Sequence, residues 1–167
     1  MKRWRGAALF AVMLAVRGIA GAQLPPRIDF TRAGGEAGWE ASHDVAPLTR
    51  TDEGLVIKIT GADPFITSPA RDYPESEPLS LVLRAKSDEG GVAQVFYFQG
   101  GAQEAKSVRF VLRKGVWEDV RVKLPPLGAR YRLRFDPPGA TGTCILASLA
   151  VEAQPKEAPA AAAPAPR

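Results

Sequence analysis

Cysteine and histidine are almost absent from the sequence, where Cys144 and His43 are the single examples among 167 residues. One cysteine cannot form an internal disulfide, and one residue of each kind cannot build a zinc cluster of cysteine and histidine ligands. A free cysteine usually behaves as a small apolar residue, and Cys144 has the apolar neighbours of a strand. We therefore expect it to be buried, the alternative being a reactive thiol.

Groups suited to catalysis are equally scarce. The only histidine lies in the tripeptide Ser42-His43-Asp44. Neighbouring residues on a strand point to opposite faces, so neither Ser42 nor Asp44 can meet the His43 ring in the geometry of a catalytic triad. Acidic pairs fall at expected turns, and no phosphate-binding glycine loop precedes a helix. The sequence therefore predicts a protein that is not an enzyme.

An excess of charge of one sign is also missing once the N-terminus is set aside. Lys and Arg number 22 against 18 Asp and Glu, a net charge of +4. Four of the basic residues lie within residues 1–22, so 18 basic residues face 18 acidic residues in the rest of the chain. A neutral domain has no electrostatic attraction for nucleic acid or anionic lipid. We expect neither as a partner.

Residues 1–22 have the three-part order of a secretory signal peptide: three basic residues, a mostly apolar stretch, and small residues up to Ala22. The apolar stretch ends at Arg17 and is about half of the roughly 20 residues that a membrane span needs. We predict cleavage after Ala22, export to the periplasm or the outside of the cell, and no membrane span in the mature chain.

Residues 153–167 are rich in alanine and proline and contain no large apolar side chain. Such a segment cannot bury enough surface to offset the entropy of ordering, so it is predicted to be a disordered tail. The folded domain is then residues 23–152, about the size of one ordinary domain.

Within this domain, short apolar runs recur between turn-forming residues, a pattern typical of an all-β sandwich or barrel. No window has a helical period of useful length. Ten strands are predicted, at residues 27–30, 39–45, 55–60, 65–68, 79–86, 92–99, 107–112, 117–124, 131–136 and 144–151.

The pattern around residues 112–124 predicts two local features. Gly115 tolerates positive φ, so Lys114-Gly115 is expected to form a tight hairpin. Trp117 is out of phase with the even-numbered apolar residues that follow it, which predicts a β-bulge near Glu118-Asp119. Both Trp117 and the early Trp39 are expected in the core, because a domain of this size needs large apolar side chains between its sheets.

Four motifs follow one another along the domain: Gly38-Trp39, then residues 60–66, 93–98 and 131–137. This ordered set resembles the galactose-binding-like jelly rolls, in particular the carbohydrate-binding modules of bacterial exported proteins. The resemblance implies a two-sheet antiparallel β-sandwich that is not catalytic, often with sugar-binding activity and sometimes with a structural calcium ion. Phe98 stands where many relatives have Trp.

Asp63 and Asp136 each precede a proline within these motifs. An Asp-Pro step marks a sharp turn at a strand end, because the carboxylate bonds nearby backbone and proline fixes φ. The alternative is that the two carboxylates are calcium ligands, since calcium prefers oxygen donors. No other cofactor is expected.

The strand at residues 92–99 has two faces. One carries Gln94, Phe96 and Phe98, and the other carries Tyr97 and Gln99 beside Ala and Val. Both faces contain aromatic residues, so the sequence leaves open which of them is directed outward. If the second face is outward, Tyr97 and Gln99 meet the arginines of the strand at residues 131–136.

Arg130, Arg132 and Arg134 form a stripe that alternates with apolar residues. Amides and guanidinium groups next to an apolar surface are the means by which sugar hydroxyls are bound. The candidate ligand-binding residues are Gln94, Tyr97, Gln99, Arg132 and Arg134. The alternative is that the aromatics are core and the arginines a solvated face. If the arginines are structural, their expected partner is Asp136 or an acidic residue on a neighbouring strand.

Together these features predict an exported, non-catalytic β-sandwich module that binds carbohydrate or a glycan-bearing protein. The alternative is a structural or protein-interaction module of the cell envelope that has no sugar site.

Overall fold

The structure is a computed structural model that describes residues 23–155. The predicted signal peptide lies outside the described residues, and so does most of the predicted tail, so both stay predictions. No helix in the described part is long and apolar enough to cross a membrane. The strands are β1 (Ile28–Asp29), β2 (Glu40–His43), β3 (Thr49–Thr51), β4 (Gly54–Lys58), β5 (Phe65–Thr67), β6 (Leu79–Ser87), β7 (Gly91–Phe98), β8 (Ser107–Leu112), β9 (Glu118–Leu124), β10 (Arg132–Asp136) and β11 (Thr143–Ala153).

These strands form two antiparallel sheets that pack into a sandwich. The five-stranded sheet has the order β2-β5-β10-β7-β8, and the six-stranded sheet has the order β3-β4-β11-β6-β9 with β1 also paired to β11. The predicted fold class is confirmed, and each of the ten predicted strands overlaps an observed one. Strand β3 was missed because its three residues are all exposed, so it has no apolar alternation to reveal it.

The core lies between the sheets and is supplied by alternate residues of their inner faces. Fully buried side chains include Leu55, Leu81, Leu133 and Phe135, and burial of each such side chain contributes about 1.5–3 kcal/mol to folding. Cys144 is buried among them, and this burial raises the pKa of its thiol to about 12. The expectation that Cys144 is buried is therefore confirmed.

One expected core residue is confirmed and the other is wrong. Trp39 is buried and meets Phe30 edge to face at 5.6 Å between ring centroids. Trp117 instead lies on the outer side of the six-stranded sheet, where Arg84 and Lys86 contact its ring. A tryptophan with cationic neighbours can remain half-exposed because the charged groups cover part of its apolar surface.

The two local predictions next to Trp117 are also wrong. Strands β6 and β9 pair without a register shift from Leu79↔Leu124 to Ala85↔Glu118, so no bulge is present. No bulge is needed, because Trp117 faces outward and the apolar residues that follow it face inward in regular alternation. Gly115 does have a positive φ of 68°, but β8 and β9 belong to different sheets, so Lys114-Gly115 crosses between sheets rather than closing a hairpin.

Strand β11 changes partner halfway along one of its edges. Its first half pairs with β4 and its second half with β1, while β6 runs along the other edge. At the change, the register with β6 shifts between Leu146 and Ser148, which leaves Ala147 as the extra residue of a bulge. The amide N–H of Phe30 donates to the carbonyl of Ala147 at 2.9 Å, which satisfies a group that the bulge frees from the ladder.

Candidate functional site

The structure decides which face of β7 is outward. Val95 belongs to the hydrophobic core, and Tyr97 packs against that core. Phe96 and Phe98 lie outside the core cluster. The guanidinium carbon of Arg134 lies 4.9 Å from the centroid of the Phe96 ring, so Phe96 shares the outer face with that arginine. Tyr97 is directed to the opposite side, and it does not meet the arginines.

Four side chains form a stack across the outer face of the five-stranded sheet, which we call the Arg134 stack. The rings of His43 on β2 and Phe65 on β5 are nearly parallel, with centroids 5.6 Å apart and an interplanar angle of 9°. The guanidinium of Arg134 on β10 lies 3.5 Å from the Phe65 centroid and also contacts Phe96 on β7. One residue from each of four adjacent strands thus takes part, and the stack ties these strands together.

Two carboxylates hold the guanidinium of Arg134 in this stack. Asp136 accepts from Nε at 2.8 Å and from Nη2 at 2.6 Å, and Asp63 accepts from Nη2 at 3.3 Å. Burial raises the pKa of Asp136, and the charge of Arg134 counteracts the rise. The expectation that Asp136 is a structural partner of the stripe is confirmed for Arg134.

This arrangement bears on the calcium interpretation of Asp63 and Asp136. The two carboxylates do converge, but on the positive guanidinium of Arg134, which repels a cation. No group of three or more Cys, His, Asp or Glu residues in positions 23–155 is placed to hold a metal ion. The residues present therefore do not fit a calcium site.

A pocket of about 360 Å³ lies at the end of the same sheet, and we call it the arginine pocket. Its walls come from Ala70, from Gln99 and Gly100 after β7, and from Arg130 and Arg132 at the start of β10. No carboxylate lines it. The pocket thus presents two guanidinium groups and one side-chain amide to an incoming ligand.

Local hydrogen bonds fix the walls of the arginine pocket. The buried Ser68 accepts the N–H of Leu133 at 2.8 Å, and its carbonyl accepts Nη1 of Arg132 at 3.2 Å. Arg130 has a positive φ of 59°, and its N–H donates to the carboxylate of Asp72 at 2.9 Å. The Gln99 amide donates to the carbonyl of Ala129, which leaves its oxygen as an acceptor.

Gln94 lies on the outer face but outside this pocket. Its amide nitrogen donates to Ser107 at 2.8 Å and to Glu104 at 3.0 Å, and Glu104 also accepts from Arg109 at 3.0 Å. These bonds form a closed network toward the β8 edge of the sheet. Gln94 therefore acts in the structure as a link between β7 and the loop before β8.

The side chains around the single histidine are committed to other bonds. Nδ1 of His43 contacts the backbone carbonyl of Asp63 at 3.0 Å, and since a carbonyl only accepts, Nδ1 carries the proton in this contact. The Ser42 hydroxyl donates to the Thr67 hydroxyl at 2.9 Å. This geometry offers no histidine base to a serine nucleophile at this position.

Of the five predicted ligand-binding residues, the structure brings Gln99 and Arg132 together in one pocket. Arg134 is taken up by its stack, Gln94 by its network, and Tyr97 by the core. The contacts of Phe65 with both His43 and Arg134 in the stack were not predicted from the sequence. The one signal in the sequence was the position of Phe65 directly after Asp63-Pro64.

Comparison with known proteins gives a consistent answer at the level of structure. No protein-family model and no curated protein matches the sequence. Among solved structures, BiXyn10A CBM1 matches with a TM-score of 0.59 at 16% identity over 78% of this chain and 98% of that one. The second N-terminal cellulose-binding domain of β-1,4-glucanase C from Cellulomonas fimi matches with a TM-score of 0.58 at 13% identity over 82% and 97%.

A further match is a portion of an enzyme chain. The protein aligns with 25% of the arabinose-bound α-L-arabinofuranosidase MgGH51, with a TM-score of 0.51 at 12% identity over 78% of its own length. Identities this low establish architecture rather than activity. The chain has the two-sheet jelly-roll fold of carbohydrate-binding modules.

Proposed function

We propose that the protein is a non-catalytic module that binds carbohydrate in the arginine pocket. The observation that carries the proposal is the convergence of Gln99, Arg130 and Arg132 on one pocket at the end of the five-stranded sheet. Guanidinium groups and an amide oxygen supply the donors and acceptors that sugar hydroxyls require. The volume of about 360 Å³ falls at the small end of the range for ligand pockets, about 300–1,000 Å³.

The charge of this pocket indicates which sugars it favours. Its lining contains two guanidinium groups and no carboxylate, and no aromatic ring. Binding then depends on hydrogen bonds and charge rather than on stacking. A sugar that carries a carboxylate or sulfate group gains a charge-assisted bond from a guanidinium, which is roughly twice as strong as a neutral one.

The N-terminal sequence supports a place of action outside the cytoplasm. Residues 1–22 have the pattern of a secretory signal peptide, and this pattern supports export to the periplasm or the cell exterior. Polysaccharides and glycan-bearing proteins of the envelope would then be accessible partners.

We expect the double substitution of Arg130 and Arg132 by alanine to weaken glycan binding by at least about tenfold, because each charged hydrogen bond contributes about 1.5–3 kcal/mol. The measurement is a glycan array with the purified protein, followed by calorimetric titration of the best glycan. The free energy of unfolding should fall by no more than about 1 kcal/mol, since the fold loses only the hydrogen bond from Arg132 to the Ser68 carbonyl.

A matched control removes two arginines from elsewhere. Arg113 and Arg121 form ion pairs with Glu118 and Glu152, and none of these four residues lines the arginine pocket. Their double replacement by alanine lowers the net charge equally and should leave binding unchanged. Equal loss of affinity in both double variants would show a general charge effect, and unchanged affinity in the Arg130 and Arg132 variant would remove the pocket from the function.

One observation favours the alternative of a protein-interaction module. Val92 and Val111 are paired across β7 and β8 at the edge of the five-stranded sheet, and they are 60% and 63% exposed. Exposed apolar side chains beside an unpaired strand edge suit contact with another protein. Capture of a protein partner that Val111→Lys abolishes, with no glycan bound at millimolar concentration, would favour this function over sugar binding.

A further inference from the structure

A second and larger pocket, of about 440 Å³, lies on the outer face of the opposite, six-stranded sheet. Its floor is Ala147 and Ser148, at the bulge where β11 changes partner. Small side chains at the floor leave room that larger ones would fill. We call this the Trp117 pocket.

One wall of the Trp117 pocket comes from the N-terminal run of the domain. Nη2 of Arg27 donates to the hydroxyl of Ser148 at 2.6 Å, and Ser148 is only 7% exposed. Asp29 accepts from the N–H of Thr31 at 3.0 Å and from its hydroxyl at 2.6 Å. These bonds lower the pKa of Asp29, so the wall carries a charged acceptor beside a charged donor.

The opposite wall is built around an aromatic ring. Trp117 is half-buried, and Arg84 and Lys86 on β6 lie 5.2 Å and 5.0 Å from its ring centroid. Arg84 is bound by Asp119 at 2.5 Å and Lys86 by Glu53 at 3.1 Å. These ion pairs hold both cations over the Trp117 ring, which gives the wall a fixed shape.

The charges of this pocket are balanced. Among the lining residues, Arg27 and Arg84 supply two positive groups, and Asp29 and Glu53 supply two negative ones. Lys86 and Asp119, which pair with lining residues, add one charge of each sign. A ligand with a net charge would gain from one pair and be repelled by the other. A flat ring with many hydroxyl groups and no charge matches an aromatic side chain surrounded by both donors and acceptors.

We propose that the Trp117 pocket is a second carbohydrate site, which takes an uncharged sugar ring against Trp117. This inference rests on the carbohydrate-binding part of the proposed function and extends it to the other sheet. The two pockets lie on different sheets of the sandwich, so one molecule can hold two glycan chains or two parts of one chain. The second site differs from the arginine pocket in the charge of the sugar that it takes.

The test is a titration of the isotope-labelled protein with β-1,4-linked xylohexaose and cellohexaose, followed by amide NMR shifts. We expect saturable shifts at Arg84, Trp117 and Ser148, and these should persist in the Arg130→Ala, Arg132→Ala double variant. Trp117→Ala should weaken this binding by about tenfold or more. Val116→Ala removes an adjacent side chain that is 40% exposed, and it should bind as the wild type does.

Arg27→Ala is a second test that leaves Trp117 in place and changes an exposed side chain. It should also weaken binding of the neutral sugars. Wild-type affinity in both Trp117→Ala and Arg27→Ala, or no shift around Ser148 with either sugar, would overturn the second site. Acidic glycans that still bind through Arg130 and Arg132 would in that case leave the proposed function standing. A further outcome is that the shifts at Ser148 persist while replacement of Arg130 and Arg132 changes the affinity for no glycan. That outcome would support the Trp117 pocket and overturn the arginine pocket.

Discussion

Replacement of Arg134 by alanine is expected to lower the free energy of unfolding by about 2–3 kcal/mol. Breaking a fully buried ion pair costs about 3–5 kcal/mol, and here the side chains of Arg134 and Asp136 each retain 18% exposure, which reduces the cost. The variant also loses the guanidinium between Phe65 and Phe96. Urea unfolding followed by circular dichroism measures the difference.

The neighbouring Arg132 provides the control. Its guanidinium donates to the carbonyl of Ser68 and has no carboxylate partner in the arginine pocket. Arg132→Ala should therefore cost no more than about 1 kcal/mol. Equal losses for Arg132→Ala and Arg134→Ala would mean that the Arg134 stack adds nothing to stability.

The pH dependence of the Arg134→Ala variant has a definite sign. Burial raises the pKa of Asp136 above its ordinary value of 3.8, and loss of the nearby positive charge raises it further. A carboxyl group with a raised folded pKa binds protons more readily in the folded state, so acid favours folding through it. The stability gap between wild type and variant should narrow as the pH falls from neutral toward 3.8. A gap that does not change with pH would contradict this account of Asp136.

Replacement of Gly54 by alanine is expected to cost about 3 kcal/mol or more. Gly54 has a φ of 139°, and an added Cβ would lie 2.4 Å from the carbonyl oxygen of Leu146 and 2.8 Å from Cα of Ala147. Both contacts are with the backbone of β11, which cannot move without breaking its pairing. Thermal unfolding of the variant, monitored by calorimetry, measures the loss.

Gly115 separates the conformational cost of a Cβ at positive φ from the cost of a steric clash. It also has a positive φ, 68°, but an added Cβ there meets nothing within 4 Å. Gly115→Ala should therefore show only the conformational cost, about 1–2 kcal/mol. If Gly54→Ala is no worse than Gly115→Ala, the contact with β11 is not tight.

The parts of the fold that could be predicted are those in which alternation is clear. On β10 the arginines alternate with buried Leu133 and Phe135, so the outward stripe and its partner Asp136 were both foreseen. On β7 alternation fails as a signal, because Phe96 on one face is as apolar as Val95 on the other. The contact between Phe96 and Arg134 shows which face is outward, and this contact forms only when β10 pairs with β7.

Trp117 shows a signal that was present but wrongly interpreted. Its odd position relative to Val120 and Val122 predicts an outward side chain, but the size and apolar character of tryptophan favoured the core. Likewise, the turn signal of Gly115 is the same whether a turn joins two strands of one sheet or crosses between sheets. The arginine pocket was predicted only in its pairing of Gln99 with Arg132, and the Trp117 pocket was not predicted, because its walls come from segments far apart in the sequence.

The position of β11 also governs the order in which the domain can fold. It is the last of the described strands, and it alone among them pairs with three others. Until β11 is in place, β4 and β6 have no shared neighbour and the six-stranded sheet cannot close. The inner apolar faces of these strands therefore stay unpaired until β11 joins them, which makes the closing of this sheet a late step in folding. A premature stop codon before Thr143 would consequently yield an unfolded chain rather than a smaller working domain.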